Sequence, residues 1–392
     1  MTAVGAIMWI AAFPVISIYA VFINEVLLGL IALPSKVVSA RPGAKTTLLI
    51  PAHNEAAGIA STIARVRLVL PSGSRILVVA DNCSDATAEI ARANGCEVIE
   101  RFDLERRGKG FALDFGRAHL ASDPPDCVII LDADCIPDEG TIESLSGSAL
   151  YYMRPVQAVN LMRAGPDSGP IVQISNFAFM IKNLVRQRGL VRAGGPAMLT
   201  GTGMAFPWAI FEGLSLASSN IVEDLAVTVE LTRNGVRPLL VESGRVWSNA
   251  ATAQDTLTQR TRWEHGFIGT AIKHALPSLA AGIKNGQLAS FRLGLHLLVP
   301  PLALLFSVGF LLVTTLFVLS ALGATAMPAV VLGALMSTSL LLLLIAWWRD
   351  GRDLLSFRAI SRIPLYVLWK IPVYLKLVKG AETEWVRTKR PD

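Results

Sequence analysis

Three long apolar stretches interrupt the mixed pattern of hydrophobic and polar residues along this chain. Residues 3–33 are almost wholly apolar, with Glu25 as the charged exception, and further apolar runs cover 294–322 and 326–348. Each run exceeds the ~20 residues that an α-helix needs to cross the hydrocarbon core of a membrane. The pattern therefore predicts three membrane-spanning helices, and the uncharged turn near Gly323 predicts that the last two form a hairpin.

Basic residues beside these runs predict how the chain lies in the membrane. Lys36, Arg41 and Lys45 follow the first run, and basic residues also flank the hairpin on both sides. Lysine and arginine accumulate on the cytoplasmic side of membranes, so residues ~36–290 are predicted to be cytoplasmic and the N-terminus to lie outside. A charged residue inside a span is costly, so we expect Glu25 to be paired or to lie near the membrane interface.

The last apolar segment differs from these runs because basic residues are interleaved with its apolar ones. Residues 357–379 also contain Pro364 and Pro372 and the aromatic residues Tyr366 and Trp369. Such a mixture is typical of amphipathic helices that lie in the membrane interface. One or two interfacial helices are predicted here, and a fourth span is the alternative.

Between the membrane segments, short aliphatic runs alternate with helical patterns. TTLLIPA (46–52), RILVVA (75–80) and CVIIL (127–131) are predicted to be buried strands, with helices between them. This alternation predicts an α/β fold with a mainly parallel sheet, in which ligands bind beyond the carboxyl ends of the strands. The polar residues at those ends are His53, Asn54, Glu55, Asp81, Asn82, Ser84, Asp85, Asp132 and Asp134. Asp and Asn are also common in turns, but three such strand ends in order favour a binding site.

Composition supports a membrane protein rather than a nucleic-acid-binding one. Of the 392 residues, 17% are charged, against about 25% in soluble globular proteins. The net charge is +6, but the basic residues are concentrated beside the apolar segments and toward the C-terminus, as expected at a cytoplasmic membrane surface. The four cysteines show no CxxC or zinc-type spacing, so we expect reduced cysteines that serve in packing.

Asp132 and Asp134 place two carboxylates in one loop after a buried strand. Magnesium and manganese prefer oxygen ligands and usually take one or two carboxylates together with substrate phosphates. The pair is therefore a candidate metal site. The alternative is a phosphatase, because VIILDADC partly matches a pattern of four apolar residues followed by DxDx(T/V). However, Ile136 stands where that pattern has Thr or Val, and two acidic strand ends come before it.

Two later motifs carry groups suited to transfer chemistry. Asp224, which follows Glu223 at the start of a helical stretch, is a candidate general base. The alternative is an acid that complements the helix dipole. Arg262 can clamp phosphate oxygens bidentately, and Trp263, close to Gln259, offers a stacking surface. An interfacial Arg/Trp anchor is the alternative for that motif.

Two glycine motifs complete the set. RRGKG (106–110) places Lys109 between two glycines before a helical stretch, where it can approach a phosphate or lie in a solvated basic loop. GTG (201–203) predicts a tight turn.

Taken in order, PAHNE, DNCSD, GKG, DADC, GTG, ED and QRTRW resemble glycosyltransferase family 2 in its membrane-integrated branch, which includes cellulose, chitin and hyaluronan synthases and ceramide glucosyltransferases. The resemblance covers residues ~46–265. It implies a GT-A (Rossmann-like) catalytic domain over 46–265, a nucleotide-diphosphate sugar donor, usually a UDP-sugar, Mg²⁺ or Mn²⁺, and inversion at the anomeric carbon. Val222 departs from the TED motif of the family, and no FxVTxK pattern follows QRTRW.

Roles follow by position in the motifs. Nucleotide-sugar contacts are predicted for Pro51, Glu55, Asp81, Lys109 and Asp132. Metal ligation is predicted for Asp134 with Asp132, and base catalysis for Asp224. Contacts to the acceptor or the diphosphate are predicted for Glu223, Gln259, Arg262 and Trp263.

The number of spans bears on the acceptor. A channel for a hydrophilic polymer needs enough helices to shield it from lipid, and three spans are too few for a monomer or for a transporter. We therefore predict transfer of one sugar to a membrane lipid. The alternatives are a processive polysaccharide synthase that completes its channel as an oligomer or with a partner, and a catalytically silent nucleotide-sugar-binding subunit.

The predicted protein is an integral membrane enzyme, in the inner membrane of a bacterium, whose catalytic domain is cytoplasmic. Its expected partners are the donor, a lipid or growing glycan acceptor and the bilayer, with a homo-oligomer as an option and no nucleic acid. The six predicted regions are a transmembrane helix over 3–33, the catalytic domain over 46–265, an interfacial segment over 266–292, a transmembrane hairpin over 294–348, interfacial helices over 357–379 and a cytosolic tail over 380–392.

Overall fold

The computed structural model of the protein describes residues 3–34, 38–39, 41, 43–163, 168–218, 222–249 and 253–379. The predicted tail over 380–392 lies outside these residues.

The strands form one mixed sheet. They are β1 (Thr46–Ala52), β2 (Arg75–Asp81), β3 (Glu97–Arg101), β4 (Cys127–Ile130), β5 (Cys135–Pro137), β6 (Val156–Arg163), β7 (Met204–Pro207) and β8 (Leu239–Asn249). Their order is β3-β2-β1-β4-β7-β6-β8-β5. The four strands from β3 to β4 are parallel, whereas β7 runs antiparallel to both its neighbours and β5 antiparallel to β8. The sheet is therefore mainly parallel, as expected, since β6 and β8 also pair in parallel. β7 is antiparallel because the chain turns at residues 201–203 and enters it in the opposite direction.

The helices pack on the sheet and on one another. They are α1 (Ala3–Gly29), α2 (Ile59–Val69), α3 (Thr87–Ala93), α4 (Lys109–Leu120), α5 (Thr141–Tyr152), α6 (Pro170–Met180), α7 (Gln187–Arg192), α8 (Trp208–Phe211), α9 (Glu223–Arg233), α10 (Ala253–Lys284), α11 (Leu288–Leu298), α12 (Leu302–Ala321), α13 (Met327–Ala346), α14 (Phe357–Ile360) and α15 (Ile363–Lys379). A π-helical segment, Ile181–Arg186, joins α6 to α7, and another, Trp347–Gly351, extends α13.

Both faces of the sheet are buried, as its near-continuous apolar strands require. Side chains alternate between the faces along a strand. In β1, Leu48 and Ile50 pack with α2, α3 and α5, while Leu49 packs on the opposite side with α4, α8 and α9. This sandwich holds the polar strand ends at one edge of the sheet.

Among the residues that the structure describes, three helices are long and apolar enough to cross a membrane. They are α1, α12 and α13 with its π-helical extension, with mean hydropathies of 2.3, 2.6 and 2.5. The first arm of the hairpin begins at Leu302 rather than at residue 294, because Pro300 and Pro301 separate α11 from α12. Val299 is held in extended backbone, as expected for a residue before proline.

The first membrane helix crosses the π-helical segment and α7 at very short range. A methyl group added at Gly29 would lie 1.8 Å from the Val185 carbonyl oxygen, and one at Gly189 would lie 1.8 Å from the Glu25 carbonyl oxygen. Only glycine permits backbones to approach this closely. The catalytic domain is thus packed directly against α1.

Ion pairs reinforce this crossing. Arg186 Nε donates to Glu25 Oε2 at 2.7 Å, and His296 Nδ1 lies 2.9 Å from Glu25 Oε1. Their side chains are at most 6% exposed, so the expectation that Glu25 is paired is confirmed. Nearby, Arg188 donates to Glu242 Oε1 at 2.9 Å and to Asp350 Oδ2 at 3.2 Å. We call these residues the membrane junction: Glu25, Arg186, Arg188, Glu242, His296 and Asp350.

The segment predicted to be interfacial consists of α14 and α15. Its apolar part, Ile363–Tyr374, is shorter than the three candidate spans. It packs on α10, where Lys370 Nζ donates to Glu264 Oε1 at 2.8 Å and Tyr374 Oη donates to Glu264 Oε2 at 3.0 Å. Placement of this segment at the membrane surface remains a prediction.

Candidate active site

A cleft of about 270 Å³ opens beyond the carboxyl ends of β1, β2 and β4. We call it the strand-end cleft. Six residues predicted from the sequence to bind a nucleotide-sugar or a metal line it: Pro51, Glu55, Asp81, Lys109, Asp132 and Asp134. The parallel half of the sheet brings them together, because the ends of β1, β2 and β4 lie at the same edge.

Asparagines shape the first two loops of the cleft. Asn54 and Asn82 have φ angles of 55° and 51°, a left-handed conformation that asparagine tolerates better than most residues. Several hydrogen bonds join the loops. Among them, His53 Nδ1 lies 2.7 Å from the Asp81 carbonyl oxygen and the Ser84 amide donates to Asn54 Oδ1 at 2.7 Å. The polar residues after β1 and β2 are therefore held in one rigid unit.

A buried ion pair orients Asp81. Arg101 Nη1 donates to Asp81 Oδ1 at 2.7 Å, and both side chains are 10% exposed. Asn82 Nδ2 donates to the same carboxylate oxygen at 3.1 Å. Arg101 was not anticipated from the sequence, where no strand was predicted over the residues of β3.

Lys109 connects the cleft to the GTG turn. Its ammonium group contacts Asp132 Oδ1 and donates to the Gly201 carbonyl oxygen at 2.7 Å. Burial alone would lower the pKa of Lys109, but the combined attraction of the Asp132 and Glu223 carboxylates is larger. The net pKa of Lys109 is therefore above its usual value. The Asp132 amide donates to Thr202 Oγ1 at 3.1 Å. A protonated lysine is therefore fixed where a phosphate group can enter.

The donor atoms of three residues in the next loop fit a divalent cation. The carboxylate oxygens of Asp132 and Asp134 and the Cys135 sulfur lie within 4.8 Å of one another. Burial raises the pKa of Cys135 well above its usual value, so its thiol stays protonated. The two carboxylates are thus the ligands on offer, and they match the oxygen preference of Mg²⁺ and Mn²⁺.

Asp224 lies beside the GTG turn, close to Lys109 of the strand-end cleft. Gly201 has a φ of 81°, and a methyl group there would lie 3.2 Å from Lys109 Nζ and 3.4 Å from Asp224 Oδ2. Burial raises the pKa of Asp224 against the opposing effect of Lys182. Burial likewise raises the pKa of Glu223 to about 8. The turn thus brings a carboxylate with raised proton affinity close to the lysine of the cleft.

The QRTRW motif lies on α10 and faces in two directions. Arg262, with Gln259 one turn before it, lies on the side of α10 near Glu223. Burial lowers the pKa of Arg262, and the negative charge of Glu223 offsets part of that shift. Trp263 stacks on Phe179 with ring centroids 5.8 Å apart. Residues three apart share a helix face and adjacent ones do not. The acceptor and diphosphate contacts assigned to this motif stay predictions.

Trp263 instead lines a second cavity, of about 90 Å³. We call it the membrane-side cavity, because Pro301 and Leu302, at the start of α12, form one wall. Three basic residues that the sequence interpretation left out also line it: Lys182, Arg186 and Arg260. Two basic residues four apart in a predominantly apolar stretch were the signal for the first two.

Comparisons with known proteins agree on a family. A sequence model described as Glycosyltransferase like family 2 matches residues 42–266. Probable glycosyltransferase YdaM from Bacillus subtilis is 27% identical over 246 residues, which cover 57% of this chain and 55% of the relative. Poly-beta-1,6-N-acetyl-D-glucosamine synthase from Staphylococcus aureus is 25% identical over 284 residues, which cover 67% of this chain and 62% of the synthase. The matched part of the chain thus spans less than two thirds of either relative.

A solved structure extends the likeness to the membrane segments. Mannosyltransferase PcManGT from Pyrobaculum calidifontis, solved in complex with GDP-Man and Mn²⁺, superposes with a TM-score of 0.55 at 18% identity. The superposition covers 94% of this chain and 99% of that one. At this identity the likeness establishes the shared fold.

Proposed function

Since the chain belongs to glycosyltransferase-like family 2, we propose that it transfers one sugar from a nucleotide-diphosphate sugar to a lipid in the membrane. The chain is a membrane glycosyltransferase with the GT-A fold. The observation that carries the proposal is the position of Lys109, which contacts both the Asp132 carboxylate and the Gly201 turn that borders Asp224.

The strand-end cleft binds the donor in this proposal. Its volume of about 270 Å³ is near the lower end of the range for small-molecule sites. Pro51, Glu55 and Asp81 line the part of the cleft near β1 and β2 and are assigned to the nucleoside. Lys109 is assigned to the diphosphate, because a protonated lysine stabilises the negative charge that develops on a leaving diphosphate.

Asp134 and Asp132 would hold a Mg²⁺ or Mn²⁺ ion. Such an ion neutralises phosphate charge and so lowers the energy of diphosphate departure. Asp132 also contacts Lys109, and Asp134 is assigned to the ion as its position in the family motif implies. PcManGT was solved with Mn²⁺, which supports this assignment.

Asp224 is the proposed general base. It takes the proton from an acceptor hydroxyl while the hydroxyl oxygen bonds to the anomeric carbon, and the bond from that carbon to the diphosphate breaks. Attack from the face opposite the leaving group inverts the anomeric carbon. The raised pKa of Asp224 suits this role, since a base is most effective when its pKa approaches the working pH.

The lipid acceptor is proposed from the membrane helices. The membrane-side cavity, about 90 Å³ in volume, begins where α12 begins, and its size suits a headgroup rather than a polymer. The proposed orientation places the catalytic domain in the cytoplasm, with UDP-sugars as the expected donors. The bacterial inner membrane is the proposed location.

A processive polysaccharide synthase is the second candidate. The poly-beta-1,6-N-acetyl-D-glucosamine synthase relative supports it, at 25% identity over 284 residues. With three candidate spans among the described residues, such an enzyme would need an oligomer or a partner to complete a channel.

The test is incubation of the purified protein with radiolabelled nucleotide-sugars, UDP-sugars and GDP-mannose among them, in Mn²⁺ and native membrane lipids. We expect one of the donors to yield an organic-soluble product that carries a single labelled sugar. Asp134→Ala should abolish metal-dependent donor binding, whereas Glu139→Ala, at an exposed carboxylate nearby, should not. A ladder of product lengths would favour the synthase, and donor binding without turnover would favour a silent subunit.

A further inference from the structure

The membrane-side cavity carries more positive than negative charge. Its ionisable lining residues with unambiguous charge are Lys182, Arg186, Arg260 and Glu264. Arg186 is paired with Glu25, and Glu264 is paired with Lys370. The two remaining cations in the lining are Lys182, on the π-helical segment after α6, and Arg260, on α10.

The direct contacts of these two cations are with neutral groups, although Asp224 and Glu264 lie close enough to raise the pKa of Lys182. Within the described part of the chain, neither Lys182 nor Arg260 forms a salt bridge. Arg260 Nε donates to Ser175 Oγ at 3.0 Å, and its Nη2 lies 2.7 Å from the Met162 sulfur. Lys182 Nζ lies 5.4 Å from the centroid of the Phe267 ring.

Burial makes this arrangement costly without a ligand. Arg260 is 6% exposed, and its guanidinium carbon lies 4.4 Å from the Phe179 ring centroid and 4.9 Å from that of Trp263. Burial lowers the pKa of Arg260 to about 10. Desolvation and the like charge of Arg186 lower the pKa of Lys182, against the opposing effect of Asp224. The buried charge of Arg260 is unfavourable unless it is paired, and a bound anion would supply the pair, while the more exposed Lys182 adds a second positive charge to the same cavity.

The position of the cavity limits what the anion belongs to. Val299, Pro300, Pro301 and Leu302 form one wall, where the membrane helix α12 begins. Its volume of about 90 Å³ equals the space for roughly six water molecules. A compact anionic group on a molecule that also contacts the bilayer fits both limits.

We propose that the membrane-side cavity binds the phosphate group of a membrane lipid through Lys182 and Arg260, and that this lipid is the sugar acceptor. The inference rests on the proposed transfer to a lipid and names the class of that lipid. Phosphate is the anion that membrane lipids supply most directly, and the planar fork of arginine matches its oxygens.

The same geometry directs the headgroup toward the base. Lys182 and Asp224 are close enough for each charge to shift the pKa of the other. A phosphate held at Lys182 places a neighbouring hydroxyl of the headgroup near Asp224. The hydroxyl oxygen then bonds to the anomeric carbon, its proton moves to Asp224, and the nucleoside diphosphate leaves. The lipid phosphate keeps its bonds and its charge throughout.

Equilibrium binding of short-chain lipids to the purified full-length protein tests the proposal. The probes are tritiated dioctanoyl phosphatidylglycerol, which has a phosphate and free hydroxyls, and dioctanoylglycerol, which has a hydroxyl and no phosphate. We expect phosphatidylglycerol to bind at least about tenfold more tightly, the effect of one or more charged hydrogen bonds. Lys182→Met should remove most of that difference and Lys182→Arg should retain it.

Matched variants separate this site from general attraction to positive charge. Lys273→Met removes an exposed lysine of α10, and Arg349→Gln removes an exposed arginine beyond α13. Neither should change lipid binding. Arg260→Gln should weaken it as Lys182→Met does, and because Lys182 is exposed, the Lys182 variants are informative even if Arg260→Gln fails to fold.

Three outcomes would overturn the proposal. They are equal binding of the two lipids, unchanged phosphatidylglycerol binding in Lys182→Met, and equally tight binding of glycerol phosphate, which would identify a site for free phosphate. Nucleotide-sugar turnover, measured on the same samples, reports on the proposed function separately. Turnover with no preference for the phospholipid rejects this inference alone, whereas absence of turnover with every donor rejects the proposed function.

Discussion

The strand-end cleft and the membrane junction are both built from charged residues, but they are built differently. In the cleft, Lys109 and Asp132 are 23 residues apart in the sequence, and their side chains are 22% and 35% exposed. In the junction, Arg186 and Glu25 are 161 residues apart and 6% and 5% exposed. The Lys109–Asp132 pair beside the cleft keeps access to water, whereas the Glu25–Arg186 pair that joins distant segments is sealed from it.

This difference separates function from stability. An exposed ion pair contributes about 0–1 kcal/mol to folding, whereas removal of one partner from a buried pair costs about 3–5 kcal/mol. Substitutions around the cleft should therefore change transfer with little effect on unfolding, and substitutions in the junction should do the opposite.

Asp224→Asn should have the largest effect on transfer. Loss of a general base lowers the rate by about 10²–10⁴-fold, while donor affinity and the thermal unfolding temperature should stay near those of the wild type. Initial rates of lipid glycosylation and nucleotide-sugar binding measure the two quantities. Glu230→Gln, later in α9, is the matched control. A fully active Asp224→Asn enzyme would remove this residue from the mechanism.

Arg188→Met should have the largest effect on stability. Arg188 is 4% exposed and pairs with Glu242 and Asp350, so its loss leaves two carboxylates without their cation. We expect the free energy of unfolding to fall by about 3–5 kcal/mol, measured by denaturant unfolding in detergent. Arg41→Met breaks a pair in which the arginine is 69% exposed and should cost about 0–1 kcal/mol. Equal losses in the two variants would contradict the distinction between the regions.

Gly201→Ala should affect both properties, because the turn borders Lys109 and Asp224. A non-glycine residue in the left-handed region costs about 1–2 kcal/mol. Gly235→Ala carries the same strain, since its φ is also 81°, but an added methyl group there would meet no atom within 4 Å. Both variants should lose similar stability, while only Gly201→Ala should lose transfer, by about tenfold, which corresponds to ~1.4 kcal/mol. Equal activity in the two would exclude a positioning role for the turn.

The smallest expected effect is a pH dependence of stability from Glu223. Burial raises its pKa from 4.5 to about 8, so in this range the folded state binds more protons than the unfolded state. The free energy of unfolding therefore falls as the pH rises from about 4.5 to 8. A loss of about 1 kcal/mol lowers the unfolding temperature by ~2–4 °C. Scans at pH 5 and pH 8 should show a smaller decrease for Glu223→Gln than for the wild type, and an equal decrease would exclude Glu223 as its source.

The sequence predictions were most accurate for polar residues that directly follow a strand. Asp81, Asp132 and the residues after β1 were placed in one cleft because parallel strands end at one edge of a sheet. The family, the enzyme class and the GT-A fold with flanking membrane helices are confirmed by the comparisons and the membrane helices. The roles assigned to individual cleft residues stay predictions.

The other half of the molecule was harder to predict because its contacts are long-range. The sequence indicated that Glu25 needs a partner, but nothing in it singled out Arg186 and His296, which lie 161 and 271 residues away. The QRTRW motif was assigned to a single site, yet a helix turns about 100° per residue. Trp263 and Arg260 therefore face the membrane-side cavity, while Arg262 faces Glu223.

The distance between Glu25 and Arg186 along the chain also has a consequence for how the protein is made. Ribosomes add about 5–20 residues per second, so the 161 residues between them take roughly 8–32 seconds to synthesise. During that time α1 can enter the bilayer on its own hydropathy, before the basic partner of Glu25 has been synthesised. The nascent catalytic domain would then pack against a helix that is already inserted. The membrane junction therefore forms late in the synthesis of the protein.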